Sequence, residues 1–346
     1  METFTKKTLK TARGFDYAYY TTPNINPSSP TLLFVHGFPD HAFMWDEVVA
    51  HVLSNPSLAS YNVVVPDKLG YGGSSKPTDP AAYAFPAMAD ELAEILDAEG
   101  VTQQVVVVGH DWGSFLAQNF FWFHRARVVG LAMVSVAYMP PDPTGKRDMA
   151  ASAALFERTF GYSQFAYWDL LTAPDAPALM RANLERVYVA LHGDRPDWMR
   201  DIFCTPGAFR AFVEGTHPES GKVALKPFAQ TEKRRRQFID RFRSDGFDAP
   251  VQYYVAGKIG TLAENARRVG PEALRADLPV LFVGSTGDAV CRPELIEGSA
   301  KAGLLPDLEK HVIQDCGHWI PMERPTELGG YLAAWLEKKF AAAHKA

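Results

Sequence analysis

The sequence predicts an α/β protein in which a mostly parallel central sheet, flanked by helices, is interrupted by one helical insertion. Three observations predict it. Short apolar, β-branched runs alternate with helical patterns as far as Ala137. The alternation then stops, and the stretch from about Tyr138 to Gly270 is aromatic, charged and helical in pattern. The strand signal returns at Pro279–Gly284 and Glu309–Gln314. Alternating strand and helix is the pattern of a parallel sheet with helices on its faces. The expected division is a first core segment at 1–137, a helical cap at 138–270 and a second core segment at 271–346. An insertion so placed is suited to act as a lid.

In chain order, Thr5–Lys10 and Phe15–Thr21 read as a hairpin around Arg13-Gly14. The runs Thr31–His36, Asn62–Pro66, Gln104–Gly109 and Val128–Val136 are continuously apolar, as central strands covered on both faces must be. Ala84–Glu99 reads as a helix with Leu92, Ile95 and Leu96 on one face, and Ser114–His124 as another. In the insertion, Thr231–Arg243 groups Phe238, Ile239 and Phe242 on one side. Pro325–Phe340 reads as a closing helix.

The 346 residues are 47% hydrophobic and 22% charged, which leaves ample material for a buried core. A formal net charge of -5 gives no reason to expect nucleic acid as a partner. Lys233-Arg234-Arg235-Arg236 reads as a solvated helix face. No apolar stretch has the length of a membrane span, and Met1 to Lys10 lacks a secretory apolar core, so neither membrane insertion nor export is expected. Cys204, Cys291 and Cys316 are odd in number and lack metal spacing, which predicts reduced thiols in the cytoplasm. Neither a metal nor an organic cofactor is expected. Gly70-Tyr71-Gly72-Gly73-Ser74 follows a strand without the Lys-Ser/Thr ending of a phosphate loop and reads as a turn.

The chemistry gathers around Gly109-His110-Asp111-Trp112-Gly113, which follows the strand Val105–Val108 and precedes a helix. Strand, then small–x–nucleophile–x–small, then helix is the nucleophile elbow of the α/β-hydrolase fold. Here an aspartate takes the place usual for serine. A serine needs a base before it attacks, whereas a carboxylate is already ionised at neutral pH. It can displace a leaving group at saturated carbon and form an ester. A base is then needed only to activate water against that ester. The order nucleophile, acid, base places the base at His318, just past the last strand, and the orienting acid at Asp288 after Leu281–Gly284. His36-Gly37-Phe38-Pro39 follows the first parallel strand, so the amides of Phe38 and Trp112 are the expected oxyanion hole. His36, Pro39, Tyr138, Trp168 and Trp319 are candidates for the pocket lining.

Taken together, HGFPD, PDKLGYGGSSKP, GHDWGS and CGHWIPMERP resemble the soluble epoxide hydrolase group of the α/β-hydrolase superfamily. The resemblance spans about residues 30–137 and 279–340. It implies a small hydrophobic epoxide as substrate, a vicinal diol as product, and two cap tyrosines that hydrogen-bond the epoxide oxygen. Phe160-Gly161-Tyr162 matches the first tyrosine best, with Tyr167 as the alternative. Tyr254 in Pro250–Tyr254 matches the second, although Val255 stands where the family usually has arginine. Whether the protein forms a homodimer is left open. A haloalkane or haloacid dehalogenase shares the aspartate nucleophile but needs halide donors, and Phe38 has no side-chain donor. A non-hydrolytic ligand-binding or cyclisation-steering protein is the reading from another class.

Overall fold

The computed structural model describes residues 3–142, 149–258 and 267–340. One eight-stranded sheet runs through it in the order β1-β2-β4-β3-β5-β6-β7-β8. The strands are β1 (Thr5–Lys10), β2 (Asp16–Thr21), β3 (Thr31–Val35), β4 (Asn62–Pro66), β5 (Val105–His110), β6 (Val128–Val134), β7 (Val280–Ser285) and β8 (Leu308–Ile313). β1 and β2 form the expected hairpin, and β2 joins β4 antiparallel. From β4 to β8 every pairing is parallel.

The central strands β3, β4 and β5 are buried at every position, which is what their unbroken Val, Leu and Phe runs require. Helices Asp46–Leu53 and Pro325–Phe340 pack together, as do Phe85–Ala98 and Trp112–Phe123. The last of these is buried from Trp112 to Trp122, so it lies wholly inside the molecule. β3 has β4 on one side and β5 on the other. The chain order therefore reverses there, and the crevice beyond the carboxyl ends of β3 and β5 is where such sheets hold ligands.

Between β6 and β7 the described residues add no strand to the sheet. They form helices, among them Met149–Phe160, Leu184–His192, Glu232–Asp245 and Gln252–Lys258. Phe238, Ile239 and Phe242 face inward as the pattern indicated, and Phe238 meets Tyr188 at 5.1 Å between ring centroids. The three arginines of the basic run on the same helix are paired: Arg234 with Glu47, Arg235 with Glu185 and Arg236 with Glu232. No helix among the described residues is long and apolar enough to cross a membrane.

Most element boundaries shift by one or two residues from the sequence reading, and two of the shifts have a clear local cause. β6 ends at Val134, not Val136, because Ser135 turns to φ 67°. The helix after the elbow begins at Trp112, not Ser114, because the turn is complete within one residue.

Candidate active site

Asp111 occupies the elbow with φ 55° and ψ −127°, a conformation costly for any side chain and held only by its surroundings. The surroundings are tight. A Cβ on Gly109 would lie 2.3 Å from the Gly113 carbonyl oxygen, and one on Gly113 would lie 2.2 Å from the Val35 carbonyl oxygen. Only backbone can approach this closely, which is why the flanking residues are glycine. Gly113→Ala is expected to cost about 3 kcal/mol or more, the upper range for overpacked interiors, because the obstructing atoms are backbone. An unchanged midpoint in denaturant unfolding would refute that expectation.

The structure brings Asp111, His318 and Asp288 together. His318 Nε2 lies 3.5 Å from Asp111 Oδ2, and His318 Nδ1 lies 2.6 Å from Asp288 Oδ2. Asp288 is fully buried, and its Oδ1 accepts from the amides of Val290 (3.1 Å) and Cys291 (2.7 Å). The carboxylate is thereby aimed and cannot rotate freely. Burial opposes a charged His318, but Asp288 and then Asp111 outweigh it and hold the ring's proton affinity well above that of a free histidine. Burial likewise opposes the Asp111 charge. Hydrogen bonding to His318, the nearby histidines and the Phe38 amide bring its pKa down to about 2.

The His318 loop is anchored to the sheet by its own carbonyls. Ser135 Oγ donates to the His318 oxygen at 3.0 Å, and His110 Nε2 lies 2.9 Å from it. Ser285 Oγ donates to the Gly317 oxygen at 2.7 Å. The Phe38 amide donates to Asp111 Oδ1 at 2.7 Å. The Trp112 amide lies in the first helical turn, where an N–H has no partner within the helix. Asp111 Oδ1 thus lies against the Phe38 amide, and Oδ2 faces the histidine.

Aromatic side chains enclose Asp111. Tyr254 meets Phe38 at 5.2 Å, Trp112 at 5.5 Å, Trp168 at 5.4 Å and Tyr167 at 5.8 Å between centroids. Burial first, and then nearby negative charge including that of Asp111, keep the phenols of Tyr167 and Tyr254 protonated far beyond the ordinary range. Tyr162 does not join them. Its hydroxyl donates to the Ala289 oxygen at 2.8 Å, and the charges acting on it most are those of Cys204, Arg292 and Asp288.

Two pocket candidates are corrected. His36 is fully buried with both ring nitrogens in use, Nδ1 against the Gly37 oxygen (2.9 Å) and Nε2 accepting from the Lys68 amide (2.9 Å). It ties the end of β3 to the loop after β4 and offers nothing to a ligand. Tyr138 is 2% exposed, and its hydroxyl accepts from Trp122 Nε1 (3.0 Å) and donates to the Leu274 oxygen (3.0 Å). Pro39 accepts from Arg241 through its carbonyl. Trp319 packs edge-on against His318 at 5.1 Å and, with it, lines a cleft of about 280 Å³.

Three neighbours were not singled out from the sequence. Lys68 is fully buried; desolvation brings its pKa down to about 7 against the pull of Asp111 and Asp40, and its Nζ sits 4.3 Å from the Tyr253 ring centroid. Burial raises Asp40 to about 6. Both follow strands whose carboxyl ends face the crevice, and that position was the available signal. The Cys291 thiol lies by the dyad; donor atoms of Asp288, Cys291 and His318 fall within 4.8 Å of one another. For a metal to bind there it would have to displace the Asp288–His318 hydrogen bond.

A family model described as alpha/beta hydrolase fold matches residues 30–325. Among curated proteins, Bifunctional epoxide hydrolase 2 of Rattus norvegicus is 28% identical over 313 residues, covering 90% of this chain and 52% of the relative. The chain thus spans about half the length of that relative and of its mouse and pig counterparts. Epoxide hydrolase A of Mycobacterium tuberculosis is 27% identical over 318 residues, covering 90% of this chain and 91% of the relative. The crystal structure of Epoxide Hydrolase A from Mycobacterium thermoresistibile superposes with a TM-score of 0.76 at 24% identity, covering 97% of this chain and 98% of that one. An epoxide hydrolase from an endophytic Streptomyces gives 0.76 at 25% identity, covering 97% and 96%.

Proposed function

Because the chain belongs to the alpha/beta hydrolase fold family, we propose that it is an epoxide hydrolase that opens an epoxide through an Asp111 ester and releases a vicinal diol. The observation that carries this reading is a carboxylate in the nucleophile elbow, backed by a buried His318–Asp288 pair and faced by the phenols of Tyr167 and Tyr254. In this reading residues 138–270 act as the cap, and Tyr167 replaces Tyr162 as the first cap donor.

In the first step Asp111 Oδ2 attacks a ring carbon. The carbon–oxygen bond breaks, and the departing oxygen takes a proton from a cap phenol. In the second step water loses a proton to His318 Nε2 and adds to the ester carbonyl. The amides of Phe38 and Trp112 receive the negative charge on Oδ1. Collapse expels the diol oxygen, which takes the proton held by the histidine; the second water proton, left on the Asp111 carboxyl, returns to the phenolate and restores the carboxylate. The charges explain the order. Alkylation removes the Asp111 charge, one of those that hold a proton on His318. The ring then gives up that proton more readily and becomes a base when the ester needs one. None of these steps calls on a metal or organic cofactor.

The test is a panel of aryl, alkyl and fused-ring epoxides with diol detection. Turnover should appear with at least one class and vanish in Asp111→Ala. One observation favours a second reading, dehalogenation. The Trp112 and Trp168 rings lie 6.0 Å apart beside the phenols of Tyr254 and Tyr167, so two indoles border the site as halide donors would. Halide release from haloalkanes, with no diol from any epoxide, would select that reading.

A further inference from the structure

An ion pair crosses from the proposed cap to the short helix Ile320–Glu323 that directly follows His318. Lys226 Nζ donates to both carboxylate oxygens of Glu323, at 2.7 and 2.8 Å. Glu323 Oε2 also accepts from the Gly317 amide at 3.1 Å. The pair is largely out of water, with side-chain exposures of 22% for Lys226 and 8% for Glu323. Lys226 is fixed in its own segment, since its amide donates to the His192 oxygen at 2.9 Å and the preceding Leu225 bridges Gly193. The lysine presses on the loop itself: a Cβ on Gly317 would lie 2.6 Å from Lys226 Nζ. Lys226, Gly317 and His318 all line the cleft that opens along this seam.

We propose that Lys226 and Glu323 are positioning residues for His318, tying the seating of the cap to the aim of the imidazole through the Gly317 amide. The proposal rests on the reading of His318 as the base of the second step. Without the lysine, the Glu323 carboxylate is left buried and uncompensated. It must then take a proton or turn to solvent, and either change weakens its hold on the residue before His318. The carbonyl anchors from Ser135, Ser285 and His110 remain, so the loop stays folded but loses its side-to-side constraint. A misplacement well short of an ångström is enough to matter, because about 1 Å can cost a factor of 100. Asp111, on the other side of the site, keeps its own support from β5 and Phe38.

Lys226→Met and Glu323→Gln should therefore slow ester hydrolysis roughly tenfold and leave ester formation within about twofold, as read by rapid quench and intact-protein mass spectrometry. The ester should accumulate in the steady state. Lys226→Arg, which keeps the charge, should restore most of the hydrolysis rate. A second readout needs no substrate. The Nδ1 proton in the 2.6 Å His318–Asp288 bond should give a far-downfield NMR signal that moves or broadens in both variants and returns in Lys226→Arg. An unmoved signal would overturn the proposal. So would an equal fall in both half-reactions together with a lower melting temperature, which would mark the pair as simple cap–core glue. If the unaltered protein opens no epoxide, the functional reading fails, and the NMR signal still decides the positioning role.

Discussion

His318→Gln is expected to turn the protein into a single-turnover trap for its epoxide. In the proposed mechanism Asp111 attacks without help, because a carboxylate is already ionised at neutral pH and the Phe38 amide still donates to Asp111 Oδ1 in the variant. Water, by contrast, cannot attack an ester efficiently while it keeps its proton, and His318 Nε2 is the base facing Asp111 Oδ2. The variant should form one ester per molecule and stop, with steady-state turnover down by a factor on the order of 10⁴ or more, the scale seen when one member of a catalytic set is removed. Asp111→Asn should form no ester. Intact-protein mass spectrometry after mixing with an epoxide reads both outcomes directly. Repeated turnover in heavy-oxygen water should also place label in the Asp111 carboxylate, because water attacks the carbonyl carbon. If His318→Gln forms no adduct and label enters only the diol, Asp111 is a base and the covalent mechanism fails.

The same charges predict a pH dependence of definite sign. The Asp111 pKa is depressed, so the nucleophile stays competent as pH falls until about 2. His318 has a raised proton affinity and must be neutral to act as a base, so hydrolysis is lost first as pH falls. Ester should therefore accumulate on the acid side even in the unaltered protein, and quenched samples across pH would show it.

The second large effect is expected from the cap phenols. An alkoxide is a poor leaving group, and two protonated phenols beside Asp111 can share its developing charge. Tyr167→Phe and Tyr254→Phe should each slow alkylation by about 10- to 100-fold, a loss of about 1.4 to 3 kcal/mol. Together they should slow it by about 10³ or more, since no second donor remains to compensate. Tyr162→Phe should stay near the unaltered rate, because that hydroxyl is spent on the Ala289 carbonyl. Near-normal ester formation in the double variant, or a large loss in Tyr162→Phe, would reverse the assignment of the first cap donor.

Some of this was legible in the linear chain, and the reason is local. A run of four β-branched valines leading into a turn reads as an inner strand, and glycine on both sides of Asp111 marks a turn where backbones meet at contact distance. The expected chain order of nucleophile, acid and base follows strand order, and it points to Asp288 and His318, which the fold brings beside Asp111. Position along a strand or next to a tight turn leaves a trace in neighbouring residues, and that trace can be read without a structure.

What the tertiary structure alone decided concerns direction and long-range contact. Tyr162 and Tyr167 stand in one irregular stretch between two helices, where no periodicity ranks them. What separates them is tertiary: Tyr167 packs against Tyr254 and feels the Asp111 charge, while the Tyr162 hydroxyl is bonded to the Ala289 oxygen. His36 and Tyr138 have the residue types of a polar pocket, yet their polar atoms are consumed by a Lys68 amide and by Trp122 and Leu274, partners that the sequence does not place beside them. Lys226 and Glu323 are separated by 97 residues and meet only because the insertion folds back over the last loop. Local patterning fixes where a side chain begins, but its partner is set by the fold of the whole chain, and in this site the partner determines whether a polar group is free for chemistry.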